Sequence, residues 1–179
     1  MKKIIIVFIM LLSFTGCSLS NTPKSKVESY LNNYNSLGED VIADMESKVA
    51  EENLSKENRN IYKKVLTRQY EDLKYEIKDE VIDGDNATVT VKLTVYDLYK
   101  STQNSLVYLN NNQNEFFENN AFSDELYNKY KLNEMLKMND TIDYEVKFNL
   151  NKKDNEWILE NPDRATLEKM HGLYNYEFK

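Results

Sequence analysis

The residue types that carry most enzymatic chemistry are scarce in this chain. Among 179 residues there is one cysteine, Cys17, and one histidine, His171. Disulfide frameworks, Cys/His zinc sites and Cys–His nucleophilic pairs are therefore excluded. His171 stands beside Gly172 at a predicted helix end, where an imidazole interacts with the terminal carbonyls. Capping is its expected role, since no Ser, Cys or second His forms a recognisable partner for acid/base work. Asp83-Gly84-Asp85-Asn86 lacks the longer alternating loop and distal Glu of a calcium-binding EF-hand and reads as a turn. Asp97 is the one carboxylate placed for acid/base chemistry, because it follows a long predicted strand between Tyr96 and Tyr99, and strand ends rim cavities. Two readings stand side by side there: an acid/base, or the N-cap of the following helix. On these grounds no catalytic residue, metal site or cofactor is assigned.

The remaining candidates are aromatic. The chain holds 13 Tyr, 7 Phe and 1 Trp. Tyr75, Tyr144, Phe148 and Trp157 fall on positions that would line the covered face of a sheet, either as core or as the wall of a ligand pocket. With Tyr96 and Asp97 they form the candidate ligand-binding set. Phe116, Phe117 and Phe122 lie beside Asn-rich sequence and suit a mobile lid or a partner patch; their exposure distinguishes the two. Charge narrows the partners. The formal net charge is -7, with 30 acidic against 23 basic residues, so nucleic-acid backbones and anionic lipid surfaces are repelled.

The N-terminus reads as an export segment. Lys2-Lys3 precede an apolar run from Ile4 to Phe14, broken only by Ser13, and then Thr15-Gly16-Cys17. Eleven residues rising 1.5 Å each cover about 17 Å, well short of the roughly 30 Å hydrocarbon core. The run is a cleavable signal rather than a transmembrane helix. Phe14-Thr15-Gly16-Cys17 resembles a bacterial lipobox, although that pattern usually has Leu, Val or Ala where Phe14 stands. The resemblance implies a signal peptide over 1–16 and a diacylglycerol thioether, with palmitate-type chains, on Cys17. Two or more acyl chains bring anchoring into the stable range. Removing the leader leaves 163 residues, and the loss of Lys2 and Lys3 takes the charge from -7 to -9. A five-residue tether, Ser18 to Thr22, spans at most about 17 Å. The body is then held close to the outer face of a bacterial cell membrane. The abundance of Asn, Lys, Ile and Tyr suits a low-GC, Gram-positive genome.

Residues 23–179 read as one α+β unit. Thr22-Pro23 starts a first helix with Val27, Tyr30, Leu31 and Tyr34 on one face and a stop at Leu37-Gly38. Val41, Ile42, Met45 and Val49 mark a second. Ser55 caps a third, with Ile61, Val65, Leu66 and Gln69 in line. From Leu73 the period becomes two: Leu73, Tyr75, Ile77 and Val81, then, after the Asp83–Asn86 turn, Ala87, Val89, Val91, Leu93 and Val95. A second hairpin has Ile142, Tyr144, Val146, Phe148 and Leu150 apolar, a turn over 151–156, and a short strand at Trp157-Ile158-Leu159. Between the hairpins, 97–139 read as a helical insertion in two pieces, with Ser123 as a cap and Leu126, Tyr130 and Met135 toward the core. Asn161-Pro162-Asp163 opens a last short helix with Leu167 and Met170. Tyr174, Tyr176 and Phe178 alternate as an added edge strand. The sum is helices packed on one face of a curved antiparallel sheet of about four strands.

The Pro23-led helix with Val27 and Tyr30-Leu31, the segment Tyr70-Glu71-Asp72-Leu73, the Asp83-Gly84-Asp85 turn, the strand Ala87 to Tyr96 and Trp157 together resemble small bacterial lipoproteins of the nuclear transport factor 2-like, cystatin-like superfamily. The resemblance spans most of residues 23–160, and the insertion at 97–139 is longer than that superfamily's minimal pattern. It implies a cone-shaped sheet around a helix, with a cavity that different members use for ligands, catalysis or protein contacts. The expected role is a membrane-tethered extracytoplasmic module for a small molecule, a peptide or an envelope protein. The alternatives are a cavity enzyme acting through Asp97 and a structural or immunity-type lipoprotein.

Overall fold

The computed structural model describes residues 21–177; Cys17, its leader and Phe178 lie outside them. Helix α1 runs Pro23–Asn35, α2 Glu39–Glu51 and α3 Lys56–Glu71. The capping signals act as read: the Thr22 hydroxyl accepts from the Ser25 N–H while Ser25 returns a contact to the Thr22 N–H, and the Ser55 hydroxyl accepts from the Asn58 N–H. The left-handed residue after α1 is Leu37, at φ 51, and not Gly38, which has φ -56 and opens α2. A Cβ at Gly38 would lie 1.8 Å from Asn33 Oδ1 and would displace that side chain from its bond to Asp40.

Strands β1 (Lys74–Asp83) and β2 (Asn86–Tyr96) form the first hairpin, turned by Gly84 at φ +60. After the insertion come β5 (Thr141–Lys153) and β6 (Glu156–Leu159), joined by Asp154-Asn155, both at positive φ; this turn is shorter than the 151–156 reading. The antiparallel order is β1-β2-β5-β6, and the sheet is open rather than closed into a barrel. Ala87, Val89, Val91, Leu93 and Val95 of β2 lie beside Leu150, Phe148, Val146, Tyr144 and Ile142 of β5. This apolar face is buried under Val27 and Leu31 of α1 and under Met170, in one cluster with Leu66 and Tyr70 of α3 and with Val41, Met45 and Val49 of α2, which packs on α3. The other face is bare and polar, with Thr94 donating to Asp143 at 2.6 Å and Thr88 to Asn149 at 3.1 Å.

One sequence expectation fails for a local reason. Val81 is 56% exposed because the β1–β2 register slips between Ile77 and Asp79, so that Val81 sits opposite Thr88 on the polar face. The bulge at Lys78 inverts every later side chain of β1. Glu80 thereby comes to the helix side, where its carboxylate accepts the Lys24 N–H at 2.8 Å. It places an anion on the first turn of α1, where the dipole favours one.

The insertion comprises α4 (Leu98–Asn111), a 3-10 turn at Gln113–Phe116, a miniature hairpin of β3 (Phe117–Glu118) and β4 (Ala121–Phe122), and α5 (Asp124–Lys137). Helix α4 ends at the Asn-rich stretch Asn110–Asn112, and Asn119-Asn120 turn the hairpin with positive φ at both positions. On α5 the buried residues are Leu132 and Met135, whereas Leu126 and Tyr130 are half-buried. Arg68 joins α5 to α3, donating to the carbonyls of Leu136 and Met138 at 2.7 and 2.8 Å. Helix α6 (Arg164–Met170) is capped by Asp163, which accepts from the Thr166 N–H at 2.7 Å, and closed by Gly172 at φ +69. The expected edge strand at Tyr174 and Tyr176 does not form among the described residues; the segment is coil, and both rings pack against the core.

Phe148 is 2% exposed at the centre of the covered face. Phe148→Ala is expected to lower unfolding free energy by about 3–5 kcal/mol in urea titrations, while Val81→Ala, on the far side of the bulge, changes it by less than about 0.5 kcal/mol.

Candidate functional site

The end of β2 delivers Asp97 to a junction of three segments. Its backbone N–H donates to the Asp140 carbonyl at 2.9 Å, while Oδ1 accepts the Lys100 N–H at 2.9 Å as the N-cap of α4. Oδ2 accepts the Tyr176 hydroxyl at 3.1 Å. Asp97 is 6% exposed, so its carboxylate is engaged at both oxygens within the protein. The Tyr176 hydroxyl is pushed up to about 12, by burial first and then by that hydrogen bond to Asp97. Tyr99 packs edge-on against Tyr176 at 5.0 Å. Such a set holds the C-terminal segment to the start of α4; it presents no free proton acceptor.

The other residues of the aromatic candidate set occupy separate places. Phe148 packs edge-on against Tyr30 of α1 at 5.8 Å inside the core. Trp157 is buried too, and its backbone N–H donates to Asn21 Oδ1 at 3.2 Å. Tyr75 is half-buried and donates to Asn32 Oδ1 of α1 at 2.8 Å. Tyr96 lies under the Arg68 guanidinium, 3.9 Å from its ring centre, and donates to Asp72 at 2.8 Å. Tyr144 is 8% exposed and lies at the margin of open space. It borders a groove of about 480 Å³ beside β5, together with Ile142, Lys169, Tyr174 and Tyr176. Its hydroxyl is buried and unpaired among the described residues, and burial raises it above the ordinary tyrosine range.

The residues that shape this groove were only partly visible beforehand. Lys169 sits 5.0 Å from the Tyr174 ring centre and 5.9 Å from that of Tyr144, a cation over two aromatic faces. The period-two pattern of the tail flagged Tyr174 and Tyr176, and nothing in the linear sequence distinguished Lys169 from a solvated helix residue. A second depression, about 890 Å³, runs along the outer side of α1 past Ser25, Ser29, Asn32 and Asn33. It is open and polar. The insertion supplies an exposed aromatic tip: Phe117 and Phe122 are 46% and 42% exposed and meet edge-on at 6.1 Å, while Phe116 is buried against Tyr108, Tyr127 and Tyr130. Of the two readings for these phenylalanines, exposure favours the partner patch. Among the described residues no group of three or more acidic, His or Cys side chains is placed to hold a metal ion, and no helix is long and apolar enough to cross a membrane.

His171 is at the C-cap of α6 as read from sequence, but it is 5% exposed and tilted against Tyr70, with ring centres 5.6 Å apart. Its Nε2 is buried and unpaired among the described residues. Desolvation, with a smaller push from Lys48, lowers its pKa from 6.5 to about 3, so the ring is neutral, and the bond back into α6 is made by the His171 backbone N–H to the Leu167 carbonyl at 3.0 Å rather than by the imidazole.

No known protein family matches the chain, nor does any curated protein. Among solved structures it is similar to that of ycdA, a candidate lipoprotein of Bacillus subtilis subsp. subtilis str. 168, with 17% identity over 84% of this chain and 47% of that one, at a TM-score of 0.42. The chain thus spans about half the length of that structure.

The folded pKa of His171 lies below the unfolded one, so its burial stabilises fully above pH 6.5 and that stability is lost as pH falls toward about 3. Each pH unit inside that window costs about 1.4 kcal/mol from this residue. Urea midpoints of wild type and His171→Gln, followed from pH 7 to 4, should converge as pH falls, because the variant lacks this contribution.

Proposed function

We propose that this protein is a lipid-tethered, extracytoplasmic module that recognises another envelope protein through its surface. One observation carries the choice of a protein over a small molecule: the covered face of the sheet is filled by the chain's own helices. Val89, Val91 and Leu93 are 0% exposed, as are Val27 and Leu31 above them. Where the superfamily resemblance implied an open cone, the apolar side chains of α1, α2 and α3 occupy the space. The exposed Phe117–Phe122 pair adds a hydrophobic feature of the kind that protein contacts use. The acid/base alternative at Asp97 draws no support from the geometry, since both carboxylate oxygens already accept hydrogen bonds. The tether is supported by the Lys2-Lys3, Ile4–Phe14 and Phe14–Cys17 pattern.

Expression of the full chain in a Gram-positive host, followed by fractionation, tests the tether. The protein should sediment with membranes, be cleaved by protease added to intact protoplasts, and yield an N-terminal peptide carrying a diacylglycerol thioether. Cys17→Ser should lose the modification and the anchoring it confers. Recovery of unmodified chain that retains Met1 from the cytosol would overturn the location and the role together.

A further inference from the structure

Strand β5 has thirteen residues, yet β6 covers only Leu150–Lys153 of its outer edge. The direction of each backbone group along the rest follows from two bonds. The Lys152 N–H donates toward the first hairpin, to the Asp85 carbonyl at 2.8 Å, whereas the Asn149 carbonyl accepts on the opposite side, from the Glu160 N–H at 2.9 Å. Alternation along an antiparallel strand then turns the N–H and C=O of Asp143, Glu145 and Lys147 away from β2, toward that outer edge. All three residues are exposed, and no described strand pairs with them there. The groove of about 480 Å³ opens along this same stretch, bordered by Ile142, Asp143, Tyr144 and Glu145 of β5 and by Lys169, Tyr174 and Tyr176, with the Tyr144 and Tyr174 rings edge-on at 5.8 Å.

We propose that this edge is a docking site for an extended peptide segment of a partner protein, which adds antiparallel to β5 as a further strand. The proposal rests on the reading of the protein as an interaction module and specifies its partner. Three outward pairs of N–H and C=O groups are a template for main-chain hydrogen bonds about 4.8 Å from the next strand. Side chains of such a segment alternate between the bare polar face and the tyrosine-lined groove. Asp143 and Glu145 also border the groove, so a carboxylate fits only beside Lys169, which makes no ion pair with another described residue, and the rest of the groove suits apolar or aromatic residues.

A second copy of this chain fits less well. Two-fold pairing of β5 with itself about Tyr144 sets Asp143 against Glu145, and pairing about Glu145 sets Glu145 against its equivalent, both like charges on one face. Pairing about Val146 sets Asp143 opposite the copy's Asn149, whose carbonyl is already bonded to Glu160. A short strand from another protein meets none of these conflicts.

The test uses random heptapeptides displayed on phage as the probe, selected on the full chain in detergent. Enriched sequences should contain an acidic residue within an apolar alternation. The bound peptide should slow amide hydrogen exchange at Asp143, Glu145 and Lys147 in the wild type, a readout that needs no variant. Glu145→Pro removes one outward N–H and no bond to β2, and should weaken binding at least tenfold; Glu145→Ala, which keeps the N–H, should bind within twofold of wild type. Lys169→Ala should discriminate less between acidic and amide versions of the same peptide. Failure to enrich any peptide, full binding by Glu145→Pro, or protection at the Phe117–Phe122 hairpin instead of β5 would each overturn the proposal. Membrane fractionation of Cys17→Ser reads the tether separately, so the two ideas fail independently.

Discussion

The burial of one face of the β2–β5 pair is the constraint on which the rest of this structure depends. Five apolar residues of β2 and five of β5 alternate in register, and a sheet with only one greasy face must find a cover for it. Helices α1, α2 and α3 precede the sheet in sequence and supply that cover. With those helices in place the interior is closed, and recognition is left to edges, grooves and the insertion. The 97–139 segment leaves the sheet at Asp97 and returns at Thr141, where the Asp97 N–H and Asp140 carbonyl clamp its two ends together. A forty-residue excursion can thus be added without disturbing the register of the strands that flank it.

Much of this architecture was legible because period and capping act locally. Thr22-Pro23, Ser55, Ser123 and Asp163 mark helix starts by side-chain chemistry that needs no tertiary partner. The alternation in β2 and β5 likewise predicts the buried set residue by residue. What escaped was non-local. The bulge at Lys78 depends on how β1 meets β2, so Val81 kept its place in the alternation while losing its place in the core. The tail's alternation suggested a strand, but Tyr174 and Tyr176 find aromatic and carboxylate partners across the fold and remain coil. Among the candidate site residues, sequence named Tyr144 from its place on the covered face and Asp97 from its place at a strand end. It could not show that Phe148 and Trp157 would be locked into the interior, or that Lys169 would lean over two tyrosines from a helix 25 residues downstream of Tyr144.

The polar groups inside the fold are held in their uncharged forms or fully partnered. His171 stays neutral through burial, and the hydroxyls of Tyr30, Tyr34 and Tyr70 are pushed up by the same cause. Asp97 is the buried carboxylate at the junction of α4 and the tail, and it is satisfied by an N–H and a hydroxyl. Charge is otherwise displayed at the surface, where Lys92–Asp143 and Lys63–Glu46 pairs contribute little individually. Stability here is a matter of apolar packing and capping, and the bare face of the sheet is free to vary in chemistry.

The irregularity at Lys78 also gives this gene one codon of latitude in length. Deleting that single codon would leave an even ladder in which Asp79 still meets Thr90, Glu80 still meets Val89 on the side of α1, and Val81 still faces solvent. Hairpin margins ordinarily tolerate indels well. In this one, the spare residue upstream of the Gly84 turn absorbs the loss, and the Glu80 carboxylate still arrives on the correct side.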